Sequence, residues 1–183
     1  MLIGILIIIS IIGLDQGLKY LAKFLLQGKN EVTWIPHVLT FNYVENRGAA
    51  WGMLEGKHFF FFIITIIALV VFGYMFTKAD FKNKKVYSLS IAFLIAGTLG
   101  NALDRLILGY VIDFIHVPFL TYILDLVGLS NFWFNIADLS LTVGVILLVI
   151  DILFFESKRT KNNEGNLLIN DGMEVKERDT SKN

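Results

Sequence analysis

Long apolar runs separated by short polar stretches dominate the first 155 residues of the chain. A helix needs about 20 apolar residues to cross the roughly 30 Å hydrocarbon core of a bilayer. Runs of this length cover residues 2–20, 59–77, 86–108 and 136–155. The pattern predicts four transmembrane helices. The first run lacks the basic start and small-residue cleavage site of a secretory signal, so we expect it to be retained.

The connection between the first two runs, residues 21–58, is too long for a plain linker. Residues 32–44 within it are rich in β-branched and aromatic side chains with rough alternation, which favours one or two short strands on the membrane surface. The predicted fold is an all-α integral membrane protein with four transmembrane helices and a small extracytoplasmic β-rich segment at about residues 31–45. Residues 1–155 form one membrane domain in this interpretation, followed by a tail at 156–183.

The composition excludes several classes of protein. The chain has no cysteine, which rules out disulfides, cysteine-ligated zinc and a thiol nucleophile. Its 16 basic and 16 acidic residues leave no excess positive charge for binding nucleic acid. The tail holds 12 of these 32 charged residues, and its composition predicts disorder on the cytoplasmic side.

The distribution of basic residues predicts the orientation in the membrane. Residues 78–85 contain four lysines and residues 158–161 contain three Lys or Arg residues, whereas residues 109–134 contain no Lys or Arg. Basic loops favour the cytoplasm, which places both termini there. Three lysines within residues 19–29 argue for the opposite orientation, but the later loops outweigh them.

Acidic residues inside the apolar runs are the most informative feature, because a charge at the centre of a membrane helix costs about 2.5–3.5 kcal/mol. Counted from the cytoplasmic end of each run, Asp15, Asp104 and Asp138 lie roughly 20, 27 and 26 Å along their helices. Asp113 follows the third run closely. Any one of these acids alone is more readily a solvated or paired boundary residue, as we expect for Asp151, but together they predict a polar pocket at the outer end of the bundle.

Asparagines accompany two of these acids at helical spacing. Asn101 precedes Asp104 by three residues, and Asn135 precedes Asp138 by three, so each pair shares one face of a helix. Gly97 lies one turn before the first pair and would let a neighbouring helix approach closely. Two carboxyl groups held close in a pocket of low dielectric share a proton and can act as general base and general acid.

Amide hydrolysis by paired acids is one chemistry that such a cluster allows, and there are four alternatives to it. A proton-coupled transporter also buries acids, although the chain shows no internal repeat. A metal hydrolase could use Asp113 with His116, although an H-E-x-x-H motif is absent. Ser88 and Ser90 lie near Lys84, but on the predicted cytoplasmic side, which argues against a serine–lysine protease. A purely structural membrane protein is the last alternative.

Four sequence blocks carry a family resemblance. They are DQGLK at residues 15–19, ENRGAAWG at 45–52, GNALDRLILGYVIDF at 100–114 and FNIAD at 134–138. In order, spacing and membrane placement, the chain resembles the lipoprotein signal peptidases, or signal peptidase II, which are bacterial membrane aspartyl proteases. The resemblance covers roughly residues 1–155.

The resemblance implies a role for each matching residue. Asp113 and Asp138 correspond to the catalytic dyad. Residues that shape the pocket and hold the substrate correspond to Asn46, Gly48, Asn101, Asp104, Arg105 and Asn135. Asp15 and Lys19 correspond to a motif with a structural part.

The resemblance also implies partners and location. The substrate would be a prolipoprotein signal peptide whose lipobox cysteine bears diacylglycerol, cut just before that cysteine, with membrane lipid as the other partner. No cofactor and no metal are expected. The protein would act as a monomer in the bacterial cytoplasmic membrane, with its active site near the outer face. Trp51 replaces the more usual Phe, and residues 115–133 are longer than in many relatives, so we expect a small helix or flap there.

Overall fold

The computed structural model describes residues 1–48, 58–125 and 132–160. Along the chain, the helices and strands in these ranges are α1 (Leu2–Leu26), β1 (Val32–Ile35), β2 (Leu39–Asn46), α2 (His58–Phe76), α3 (Lys85–Ile107), β3 (Val111–His116), α4 (Pro118–Asp125), β4 (Trp133–Phe134) and α5 (Ile136–Asp151). A π-helical stretch at Ile152–Glu156 continues α5. Helical backbone then extends to residue 160.

Four helices in the described part of the chain are long and apolar enough to cross a membrane, which confirms the prediction from the apolar runs. They cover Leu2–Leu26, Phe59–Phe76, Lys85–Ile107 and Ile136–Thr160. The first and last helices extend beyond the predicted ends, because polar and basic side chains are tolerated in the terminal turns.

Helix α3 is the centre of the bundle and packs against α1, α2 and α5. Small residues make the closest approach possible. A β-carbon at Gly97 would collide with the backbone of Ala137 on α5, and one at Gly144 of α5 would lie 2.8 Å from Leu94 of α3. The predicted close approach of a helix at Gly97 is therefore confirmed.

The strands form one antiparallel sheet in the order β1-β2-β3-β4. Strands β1 and β2 confirm the predicted β-rich segment. Strand β3 was not predicted from the sequence, because its four apolar residues do not alternate with polar ones and the strand follows a helix directly; Gly109, with φ of 81°, makes the turn between them. The sheet lies beyond the C-terminal ends of α1 and α3, and we call this the sheet end of the bundle.

The helix or flap predicted for residues 115–133 is present in part as α4. His116 holds the beginning of α4 through a 2.7 Å hydrogen bond between Nε2 and Thr121 Oγ1, and its ring packs on Trp133 with centroids 4.7 Å apart. Residues 126–131, Trp51 and the tail from residue 161 lie outside the described residues.

At the opposite end of the bundle, Asp151 is a buried acid with a partner, the paired form of the boundary acid expected from the sequence. This side chain is 1% exposed and forms two hydrogen bonds with the guanidinium of Arg159. The apolar pattern predicts a helix that stops near residue 155 and leaves Asp151 in the boundary. Because the helix continues to residue 160, it brings a cation back over the carboxylate.

Candidate active site

Carboxylates from four separate elements lie at the sheet end of the bundle. Three of them are at most 2% exposed, and the fourth, on α5, is partly exposed. In chain order they are Asp15 on α1, Asp104 on α3, Asp113 on β3 and Asp138 on α5. Buried charges need partners, and the contacts of these residues form one connected network.

Asn135 links two of these acids. Its side-chain amide donates a 2.7 Å hydrogen bond to Asp113 Oδ1. Its side-chain oxygen accepts from the backbone N–H of Asp138 over 2.9 Å, and its own backbone N–H donates to Asp138 Oδ2 over 3.2 Å. The second and third contacts form the capping box of α5. One fully buried residue therefore holds both carboxylates.

Asp113 owes its position to the register of the sheet. It pairs with Val44 of β2, and Asn46 pairs with Val111 two positions on, so Asn46 and Asp113 share a face. Asn46 Nδ2 donates to Asp113 Oδ2 over 2.9 Å. Burial, followed by the negative charge of Asp138, raises the pKa of the Asp113 carboxyl to about 7.

Asp138 lies at the first turn of α5 and is reached from α3. Asn101 donates from Nδ2 to Asp138 Oδ1 over 2.7 Å, so its amide crosses to the neighbouring helix instead of bonding with Asp104. The shared helix face predicted for Asn101 and Asp104 is correct, but the hydrogen bond joins two different helices. Only the packing of α3 against α5 could reveal this partner.

Lys19 is fully buried beneath these residues. Its ammonium lies 2.8 Å from Asp15 Oδ2 and 3.0 Å from Asp104 Oδ2, and it donates to Asn101 Oδ1 over 3.1 Å. An ammonium has three donors and no acceptor, so these three contacts satisfy it completely.

The two acids beside Lys19 hold the beginnings of other elements. Asp15 Oδ1 accepts from the backbone N–H of Ala137 at the start of α5 over 2.8 Å. Asp104 Oδ2 accepts from the backbone N–H of Ile112 on β3 over 3.0 Å. These bonds set the positions of the elements that carry Asp138 and Asp113.

Gln16 belongs to the same network and was not identified as a site residue from the sequence. Its Nε2 donates to Asp104 Oδ1 over 2.9 Å and to the carbonyl of Gly100 over 3.1 Å. Its place inside the DQGLK block was the available signal.

Gly48 and Arg105 lie at the edge of the cluster. The backbone N–H of Gly48 donates to Asn46 Oδ1 over 3.0 Å, and its carbonyl accepts from an Arg105 Nη atom over 3.2 Å. The Arg105 guanidinium also lies 4.7 Å from the centre of the Phe61 ring on α2. Every site residue predicted from the sequence is therefore part of this cluster or touches it.

The described residues do not form the metal site or the serine–lysine pair that were considered as alternatives. Asp113 and His116 are three residues apart on one strand, so their side chains leave opposite faces. Ser88 Oγ accepts from the backbone N–H of Asp80, and Ser90 Oγ donates to the carbonyl of Tyr87. Within the described ranges, no three His, Cys, Asp or Glu residues are placed to hold a metal ion.

Comparison with known proteins identifies the family. Residues 7–154 match the family model for signal peptidase (SPase) II. The chain belongs to the signal peptidase II family. The resemblance inferred from the four sequence blocks is thereby confirmed, and membership makes this protein a membrane protease.

Individual signal peptidases are similar in sequence to this chain over most of their length. The lipoprotein signal peptidase of Enterococcus faecalis is 36% identical over 155 residues, covering 85% of this chain and 90% of that protein. The lipoprotein signal peptidase of Staphylococcus aureus is 42% identical over 150 residues, covering 82% and 87%. A bacterial membrane enzyme solved by the in meso method at 2.3 Å resolution superposes with a TM-score of 0.71 at 41% identity, covering 87% of this chain and 90% of that one.

Proposed function

We propose that this signal peptidase removes the signal peptide of prolipoproteins by aspartic catalysis, cutting just before the diacylglyceryl-modified cysteine. Asp113 and Asp138 form the catalytic dyad. Family membership supports the peptidase activity on lipoprotein precursors, and the geometry of the carboxylates supports the dyad.

The observation that best supports this proposal is that Asn135 forms hydrogen bonds with both Asp113 and Asp138. One buried residue bonds to Asp113 through its side chain and to Asp138 through its backbone and its side chain. The two carboxylates come from elements on either side of Asn135, and burial, together with the negative charge of Asp138, raises the pKa of Asp113. Two acids in this relation hold a single proton between them near neutral pH.

The singly protonated pair can hydrolyse an amide without any other group. The ionised carboxylate takes a proton from a water molecule, whose oxygen attacks the scissile carbonyl carbon. The protonated carboxyl gives its proton to the carbonyl oxygen, which produces a neutral tetrahedral diol. When this intermediate collapses, the carbon–nitrogen bond breaks and the leaving amine takes a proton from the dyad, while a diol hydroxyl returns one.

The remaining side chains position the reacting groups. Asn101 and Asn46 each donate to one dyad carboxylate, which orients its oxygens. Gly48 and Arg105 border the site and are the candidates for contacts with the substrate backbone. Lys19, Asp15 and Asp104 anchor these residues from below.

The site belongs to the outer face of the cytoplasmic membrane in this proposal. The loop between α2 and α3, at the end of the bundle away from the sheet, carries four lysines within residues 78–85, and basic loops favour the cytoplasm. Both termini then lie in the cytoplasm and the enzyme acts as a monomer. A signal peptide that spans the membrane as a helix would present its lipidated cysteine at the level of the dyad.

The decisive experiment uses purified enzyme with a lipidated precursor and a lipid-free copy, followed by gel shift. We expect cleavage of the lipidated precursor alone. Asp113→Asn and Asp138→Asn should each reduce turnover by at least about a hundredfold, the usual contribution of a general acid or base. Asp80→Asn, which changes a half-buried carboxylate in the lysine-rich loop far from the candidate dyad, is the matched control and should keep full turnover. Near-normal turnover in either dyad variant would refute the dyad.

A further inference from the structure

An apolar groove of about 610 Å³ lies between α2 and α3. Its volume falls within the range of small-molecule sites, about 300–1,000 Å³. Its walls include Phe61, Thr65 and Leu69 from α2 and Leu99, Leu103 and Leu106 from α3. Thr65 and Arg105 supply the polar side chains among the described residues that line it, and the other lining side chains are apolar.

The groove lies at the same level as the candidate dyad. Its α2 residues belong to the first part of a helix that begins at His58, and its α3 residues belong to the last turns before Ile107. Asn101 and Asp104 occupy the same turns of α3 and contact α5, α1 and β3. One short segment of α3 therefore has the carboxylate cluster on one face and the groove on another.

Arg105 closes the groove at the end nearest the carboxylates. Its guanidinium lies over the ring of Phe61 in the groove wall and donates to the Gly48 carbonyl beside Asn46. A guanidinium has five N–H donors, and this one makes a single hydrogen bond among the described residues. As far as the described residues show, further donors are thus available at the polar head of an otherwise apolar channel.

We propose that this groove holds an acyl chain of the substrate's diacylglyceryl cysteine, with Arg105 donating to the ester carbonyl oxygen at the head of that chain. This inference rests on the proposed function. The complementarity has two parts: a hydrocarbon chain matches the apolar walls, and a neutral ester oxygen accepts from guanidinium donors that no described residue accepts from. A chain seated there would fix the lipidated cysteine, and with it the scissile bond, next to the dyad.

Filling the groove tests the acyl part. Leu99→Trp and Thr65→Trp should lower kcat/KM for a dipalmitoyl precursor by about tenfold or more, a typical effect of losing part of a hydrophobic pocket, and leave a dioctanoyl precursor much less affected. Val70→Trp is the matched control, because Val70 lies on α2 outside the groove and is 67% exposed. It should keep the wild-type ratio between the two precursors. Melting temperatures of all three variants report folding.

Replacing the ester linkages tests the head of the groove. A precursor carrying ether-linked chains lacks the carbonyl oxygens, so wild-type enzyme should cleave it with lower kcat/KM than the ester form. In Arg105→Leu that preference should disappear. A preference that persists unchanged in this variant would overturn the assignment of Arg105.

The outcomes separate the two proposals. If wild-type enzyme does not cleave lipidated precursor, the proposed function itself fails. If it does, and the groove variants lower kcat/KM equally for long and short chains, or match Val70→Trp, the acyl site is refuted. Equal losses would point instead to a resident membrane phospholipid or to altered helix packing.

Discussion

Lys19 donates a hydrogen bond to Oδ1 of Asn101 over 3.1 Å, and this contact determines which way the Asn101 amide points. An ammonium only donates, so the amide oxygen must face Lys19 and the amide nitrogen must face Asp138. Asn135 donates to the same oxygen, which agrees with this orientation. A residue on α1 thereby orients a donor on α3 toward a candidate catalytic carboxylate on α5.

Lys19→Met should destabilise the protein strongly, because it leaves Asp15 and Asp104 buried without their cation. Breaking a buried ion pair typically costs about 3–5 kcal/mol of unfolding free energy. Thermal unfolding in detergent would measure the loss. Adding Asp104→Asn removes one of the uncompensated charges and should recover part of it. A double variant that melts lower than Lys19→Met would contradict the charge argument.

The rate of cleavage should fall as the pH rises through about 7. The raised pKa of Asp113, caused by burial and then by the charge of Asp138, means that the proton of the candidate dyad is lost in this range. The folded state binds this proton more tightly than the unfolded chain. The contribution to stability is therefore also lost as the pH rises from 3.8, the ordinary pKa of an aspartic acid, to about 7. A kcat/KM profile that stays flat to pH 9 would be inconsistent with the assignment.

Asn46→Ala should move the alkaline limb of that profile to higher pH. The hydrogen bond from Asn46 stabilises the ionised carboxylate and lowers the pKa of Asp113, so its removal lets the pKa rise further. The maximal rate should fall as well, because the carboxylate loses an orienting donor. A purely structural role for Asn46 predicts a lower rate with the limb unmoved, which the full pH profile would reveal.

Gly97→Ala should cost about 1–3 kcal/mol of unfolding free energy, the usual penalty for overpacking a helix contact. The new methyl group would meet the backbone of Ala137 and the side chain of Leu141 on α5. Gly73→Ala is the matched control, since no atom lies within 4 Å of a β-carbon built there. This control should be neutral or slightly stabilising, through helix propensity. Equal melting temperatures for the two variants would disprove the close contact.

Asp151→Asn should lower the melting temperature while preserving turnover below the transition. The variant removes the buried partner of Arg159 at the end of the bundle opposite the candidate dyad. Arg159→Gln should produce a similar shift, because it breaks the same pair. A large loss of turnover at an unchanged melting temperature would instead connect this pair to catalysis.

Several features of the fold were predictable because they depend on local patterns. The four membrane helices follow from uninterrupted apolar runs, and strands β1 and β2 follow from alternation within a long connection. Strand β3 was missed because its apolar residues are covered on both faces, and such a run has no alternation to detect. Strand β4 has two residues, too few for any periodic signal.

The sequence predicted which residues form the candidate site, but it did not predict most of the hydrogen bonds between them. Counting residues along each helix brought Asp15, Asp104 and Asp138 to one level, and the structure joins Asp15 to Asp104 through Lys19. The sequence also paired each asparagine with the acid three residues later. For Asn135 and Asp138 this pairing is present as a capping box, which is a local motif.

The amino-acid sequence by itself determined the membrane helices, the common level of the acids along them and the family of this protein, because each depends on residue type and spacing along the chain. The tertiary structure alone decided that Asn101 reaches Asp138, that Lys19 lies beneath both, and that a groove opens beside Arg105. These contacts join different helices. They depend on how closely α3 packs against its neighbours, and no periodicity within a single segment encodes that distance.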